Sequence, residues 1–192
     1  MPLRVLYGKA NGNTVPYPPL FDAIRKNYGF VDTRGRIDRI ADIPEAQLSE
    51  ALAGILRLLA APDFPLISLG CDLGQRDKPK GRLDTRKWAG GYVQIAAAIA
   101  TTEEFELLRD MAKAIETGLH RIVVSDSWEV RFVLTSVHLD FEKERDTQSV
   151  WLWFDAKAST VNLALASRER LLRAIGEIIS DFVSGAPTAP QT

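Results

Sequence analysis

The chain has 192 residues, 24 basic and 25 acidic, with a formal charge of −1; 46% are hydrophobic and 26% charged. A chain of this length buries enough surface to hold a core without disulfides or a metal. Its average composition excludes wholesale disorder, collagen-like or low-complexity character and a disulfide scaffold, and the balanced charge argues against a wholly basic nucleic-acid binder.

Cys71 is the only cysteine, so no intrachain disulfide can form, which suits a reducing interior. No long apolar region follows Arg4, so a secretory signal is not expected. No run approaches the ~18 apolar residues of a membrane span. The expected location is the cytoplasm, and no internal repeat is visible.

In chain order, residues 3–7 read as a first strand and 8–19, rich in Gly, Asn and Pro, as loop. Residues 20–28 predict a short helix: Pro18 and Pro19 precede it, Leu20, Phe21, Ile24 and Tyr28 cluster on one side, and Gly29 suits its end. Residues 30–43 mix charged and aliphatic groups without a clear period. Asp42 and Glu45 form a cap-like pair ahead of a helix reaching about Ala60, with Leu48, Leu52, Ile55 and Leu59 at helical spacing. Pro62 and Pro65 end it, and 66–69 reads as a buried strand.

Residues 70–91 carry five of the chain's glycines, Gly70, Gly74, Gly81, Gly90 and Gly91, with many charges between them. They predict a long mobile loop, which in a compact domain signals function or mobility. A strand over 92–100 follows. Thr101 and Glu104 make a Thr-x-x-Glu capping box for a helix with Phe105, Leu108, Met111, Ala112 and Ile115 on one face and Gly118 at its C′ position. Residues 122–124 are briefly β-like.

Over 128–141 the pattern alternates. Val133, Val137, Leu139 and Phe141 share one parity, interrupted by Thr135; Ser136, His138, Asp140 and Glu142 share the other. Residues 150–156 repeat it, with 143–148 expected as a longer hairpin loop. A last helix runs from about Ser167 to Val183, with Leu171, Leu172, Ile175, Ile178, Ile179 and Phe182 on its broad apolar face, and Gly185 stops it. The expectation is one α+β domain over 1–185, with a mostly antiparallel sheet, helices packed mainly on one face, and a disordered tail over 186–192.

Four constellations carry chemistry. His138, Asp140 and Glu142 point one way if they lie on one strand, and an imidazole with two carboxylates suits acid–base work or a divalent ion. Same-face neighbours stand about 6.6 Å apart, wide for one ion, and no second ligand cluster accompanies them, so the set reads more simply as a solvated strand end with no metal. Trp151 and Trp153 sit in a segment apolar on both parities. If Val137 pairs with Leu152 and Leu139 with Val150, the tryptophans face His138 and Ser136 and form either core or an exposed recognition surface. Arg76, Lys78, Lys80, Arg82, Arg86 and Lys87, with Asp77 and Asp84 between them and Trp88 following, make a positive segment that suits a phosphate backbone or an acidic partner surface, or reads as a solvated loop. Cys71 reads as a buried inert thiol. No phosphate-loop, dinucleotide, nucleophile-elbow, zincin or Cys-x-x-Cys motif is present, and no cofactor is implied.

The leading expectation is therefore a non-catalytic protein-binding module of adaptor or toxin-neutralising type. It would bind a protein partner or its own copy, with Trp151 and Trp153 as anchors and Arg82, Arg86, Lys87 and Trp88 meeting an acidic surface. The alternative is a small enzyme acting on an anionic substrate, with His138 as general base beside Asp140 or Glu142 and 70–91 as lid. Nucleic-acid binding ranks below both.

Overall fold

The computed structural model describes residues 3–21, 26–76, 86–98, 103–122, 127–141 and 144–185. Strands β1 (Leu3–Lys9), β2 (Asn13–Val15), β5 (Leu66–Arg76), β6 (Lys87–Ala97), β7 (Ser127–Leu139) and β8 (Arg145–Ala158) form a six-stranded sheet. Its order is β1-β7-β8-β6-β5, with β2 following β1 along the same side of β7. β5, β6, β8 and β7 are antiparallel; β1 and β2 run parallel to β7. Helices α2 (Glu50–Leu59), α3 (Glu104–Arg121) and α4 (Val161–Ser184) pack on one face. The α+β expectation with one helix-covered face is what the molecule has.

The main core lies between sheet and helices. Val93, Ile95, Trp128, Val130, Leu152 and Phe154 meet Leu52, Leu56, Leu108, Ile115, Leu171 and Ile175, all buried. Buried Trp128 is satisfied at its polar end, where Nε1 donates to Ser167 Oγ at 2.9 Å.

Several local expectations fail for identifiable reasons. No helix occupies both ends of 20–28: Leu20–Phe21 (β3) pairs antiparallel with Lys26–Asn27 (β4), and 22–25 lie outside the described residues. Leu20 is exposed, and so short a segment without a surface to bury its apolar stripe is marginal as a helix. The helix expected up to Ala60 is broken. Pro44–Gln47 (α1) stops, and Ser49 starts α2 anew by accepting from Leu52 N–H at 3.1 Å, which leaves Leu48 72% exposed instead of in the core.

The loop expected over 70–91 is mostly ladder: β5 runs to Arg76, β6 starts at Lys87, and 77–85 lie outside the described residues. The glycines there serve close packing. Tyr17 Oη sits over Gly70, and the Trp88 ring lies where a Gly74 side chain would be. Thr101 lies outside the described residues, and α3 begins without a side-chain cap, so Glu104 is its first residue and not the third of a capping box. Its carboxylate instead holds Arg145 Nη1 at 3.1 Å and Thr147 Oγ1. Gly118 does not end α3; it lets Ile178 of α4 approach closely. Residues 123–124 and the tail 186–192 also lie outside the described residues.

The largest correction concerns β7, which has no single covered face. Trp128, Val130 and Phe132 point into the helix layer, whereas Thr135, Val137 and Leu139 are buried on the opposite face. There Val15, Ile67, Leu69, Ala96, Val137 and Leu139 form a second cluster, which the chain's own Tyr17 and Phe30 partly cover.

Candidate partner-binding face

The ladder sets which side chains share a face. β7 and β8 pair as Val133–Trp151, Arg131–Trp153, Val137–Thr147 and Leu139–Arg145. The expected pairing of Val137 with Leu152 and Leu139 with Val150 is therefore wrong. The hairpin connection is shorter than 143–148 because Arg145 joins the ladder, its guanidinium held by the Ala97 carbonyl at 2.8 Å and by Glu104. With this register Trp151 and Trp153 project from the face away from the helices, and His138 from the other. The two candidate sites of the sequence are on opposite sides of the sheet.

On the helix-free face β6 brings Tyr92 opposite Trp153 and Gln94 opposite Trp151. The Tyr92 ring centroid lies 4.5 Å from that of Trp151 and 4.9 Å from that of Trp153, and the two indoles are 6.0 Å apart and near parallel. Trp151 and Tyr92 are half-buried; Trp153 is 40% exposed. Such a packed trio holds its rings in place. Trp88 lies on the same face, over Gly74.

The trio has a polar floor on one side. Gln94, itself buried, donates from Nε2 to Asn13 Oδ1 at 3.0 Å and to Ser149 Oγ at 2.8 Å. On the other side lies Glu129, 3.5 Å from Arg131 Nη2 and 3.9 Å from both Arg4 Nη1 and Lys157 Nζ. These three cations share the face with the acids Glu129 and Asp155, and Arg131 is the direct cross-strand neighbour of Trp153. Sequence reasoning missed Tyr92, Arg4, Arg131 and Lys157, whose role depends on pairings between distant strands. Of the expected basic residues, Arg86 is exposed and Lys87 half-buried at the start of β6, and Arg82 lies outside the described residues.

The other candidate is described in part. Asp140 follows the end of β7, where its backbone N–H bonds the Val15 carbonyl at 2.7 Å, and Glu142 lies outside the described residues. His138 pairs across the hairpin with Asp146, Nδ1 to Oδ1 at 2.9 Å, and that hydrogen bond raises the imidazole pKa from its ordinary value. The pair lines an open cleft of about 590 Å³ with Asn13, Thr14, Glu104, Ser136 and Gln148. In the same cleft the Ser136 hydroxyl accepts from Gln148 Nε2 at 3.3 Å. Among the described residues no three His, Cys, Asp or Glu side chains are grouped to hold a metal. At Cys71 burial, with Glu45 and Asp72 adding, pushes the thiol pKa far up, which disfavours the thiolate.

No protein-family model matches the chain, and no match was found among curated proteins or solved structures. Among the described residues no helix is long and apolar enough to cross a membrane.

Proposed function

We propose that the chain is a non-catalytic protein-binding module that docks an acidic protein surface on the helix-free face of its sheet. The observation that carries this reading is Trp153, 40% exposed in the middle of that face, braced by Tyr92 and Trp151 and flanked by Arg131. Rigid aromatic residues next to an arginine are the composition of interface hot spots. Arg4, Arg131 and Lys157 orient an acidic partner, and Arg86 and Lys87 steer its approach. An adaptor or toxin-neutralising role in the cytoplasm fits such a module.

The test is capture of the partner from the native cell, followed by titration of the purified pair. Trp153→Ala weakens binding by about 2 kcal/mol or more, as expected for a central anchor, and Arg131→Glu weakens it further. The control Leu48→Ala, at an exposed leucine of the opposite layer, changes nothing. Undiminished binding by the Trp153→Ala/Arg131→Glu pair sinks the proposal.

The second reading is the small enzyme. The His138–Asp146 contact at 2.9 Å in the 590 Å³ cleft favours it: an imidazole oriented by a carboxylate is a general base. It predicts a turnover that His138→Ala abolishes while Trp153→Ala leaves it intact.

A further inference from the structure

The outer edge of β1 borders an apolar groove, on a part of the molecule separate from the aromatic trio. β1 pairs with β7 on one side and with no described strand on the other. The Ala10 N–H bonds the Leu134 carbonyl at 3.1 Å, continuing the β1–β7 register. By strand alternation the backbone groups of Arg4, Leu6 and Gly8 turn toward β7, and those of Val5 and Tyr7 turn outward.

The side chains of Val5 and Tyr7, opposite Val130 and Phe132, stand on the helix-layer side. There Leu108 and Ala112 of α3 and Phe132, Leu134 and Val150 of the sheet line a groove of about 190 Å³. Two rings stand exposed at its mouth, Tyr7 at 58% and Phe105 at 42%. Tyr7 is fixed there: its ring stacks on Phe132 with centroids 5.5 Å apart, and its hydroxyl donates to Glu116 Oε2 at 2.5 Å. The patch thus offers backbone groups without a partner among the described residues, an apolar slot and apolar knobs side by side.

We infer that this edge is a homodimer interface: a second copy adds its β1 antiparallel across a two-fold axis, and exposed Tyr7 and Phe105 of each copy close the other's groove. The patch meets the requirement of a two-fold interface, which is complementarity to itself. With the two-fold at Tyr7, antiparallel pairing sets Tyr7 against Tyr7 and Val5 against Lys9 of the other copy and satisfies their outward groups in both copies at once. Knob and slot lie in one patch, so each copy supplies what the other lacks. Charge agrees. Arg109, held at Nε by Asp110 of its own helix at 3.1 Å, lines the groove with Lys9, and Glu116 bonds the tyrosine at its rim; Arg109 and Glu116 stand about two turns apart on α3. The two-fold reverses the facing helix and brings Arg109 of one copy toward Glu116 of the other. A chain of net charge −1 meets little repulsion from its own copy. The two helix-free faces then lie on one continuous sheet, with Arg4 of both copies near the seam.

Sedimentation velocity of the full chain over a concentration series tests this. The wild type shifts to a dimer with rising concentration. Phe105→Asp, at an exposed ring, and Val5→Pro, which removes an outward N–H, each return it to monomer with unchanged circular dichroism. Phe105→Asp alone decides the matter if the proline variant fails to fold. Arg109→Glu and Glu116→Arg each weaken the dimer about tenfold, a loss of ~1.4 kcal/mol, and the double exchange restores it. The amides of Val5 and Tyr7 exchange slowly in the dimer and quickly on dilution. A chain still monomeric near 1 mM, where only contacts of about −4 kcal/mol escape detection, overturns the inference. So does a dimer indifferent to Phe105→Asp, or one lost with Trp153→Ala, which places the contact on the helix-free face.

Discussion

His138 and Asp146 form an exposed pair whose chemistry is readable by titration. The carboxylate's hydrogen bond, followed by the charges of Asp146, Glu144 and Asp140, raises the imidazole pKa in the folded chain. The unfolded value is about 6.5. Its stabilisation is therefore fully present below that pH and is lost as pH rises through the higher folded value; exposure keeps it small. In an NMR titration of the imidazole Cε1–H, the His138 midpoint lies above that of an unperturbed histidine, and Asp146→Asn moves it down. A midpoint that ignores Asp146→Asn refutes the pairing. Two glycines separate close packing from chain flexibility. A Cβ on Gly91 would strike the Asp72 carbonyl, which is backbone of the neighbouring strand. Gly91→Ala is expected to cost roughly 1–3 kcal/mol or more in urea unfolding, as overpacking does. A Cβ on Gly118 would meet Ile178 Cδ1 at 2.6 Å, the movable end of a side chain, and alanine regains about 1 kcal/mol of helix propensity. Gly118→Ala therefore costs less than Gly91→Ala; the reverse order would contradict this account.

At the scale of elements, the start of α2 is held twice. Ser49 Oγ accepts from Leu52 N–H, and Glu169 of α4 accepts from Ser49 Oγ at 2.9 Å and from Ala51 N–H at 3.2 Å. Ser49→Ala is expected to destabilise by about 1–2 kcal/mol, the usual cost of a lost N-cap. Combined with Glu169→Ala, the loss should be less than additive, because both groups serve one helix end; strict additivity in denaturant melts would show that they act apart. The amphipathic helices were legible in sequence since their apolar spacing reflects burial against one layer: Leu108, Met111, Ala112 and Ile115 face the core as read, whereas Phe105, expected on the same face, is exposed at the first turn of α3. The hairpin of β5 and β6 was hidden, because glycines that admit the Tyr17 and Trp88 rings look, in sequence, like loop glycines.

The whole molecule divides the residues of β8 by face. Phe154 is fully buried under the helices, and Trp153, next to it, is partly exposed on the other side. Phe154→Ala is expected to cost about 3–5 kcal/mol as a core cavity. Trp153→Ala should cost about 1–2 kcal/mol, mainly its packing on the other two rings. Equal losses in thermal or chemical unfolding would mean that Trp153 is core, and would remove the proposed anchor.

Local pattern by itself determined the class of fold, most strands of the sheet and its helix layer, since amphipathic period and turn residues are properties of neighbours in the chain. It also marked Trp151 and Trp153 as either core or surface. Only the tertiary structure decided between these. A one-residue change of register exchanges the two faces of a strand, and the register of β7 on β8 put the tryptophans on the helix-free face, beside Tyr92 and Arg131, and His138 on the other. It also showed β7 burying one parity and then the other, because helices cover one end of the strand and residues of the N-terminal segment the other. Partners across a sheet come from positions tens of residues apart, and no spacing within the chain encodes their meeting.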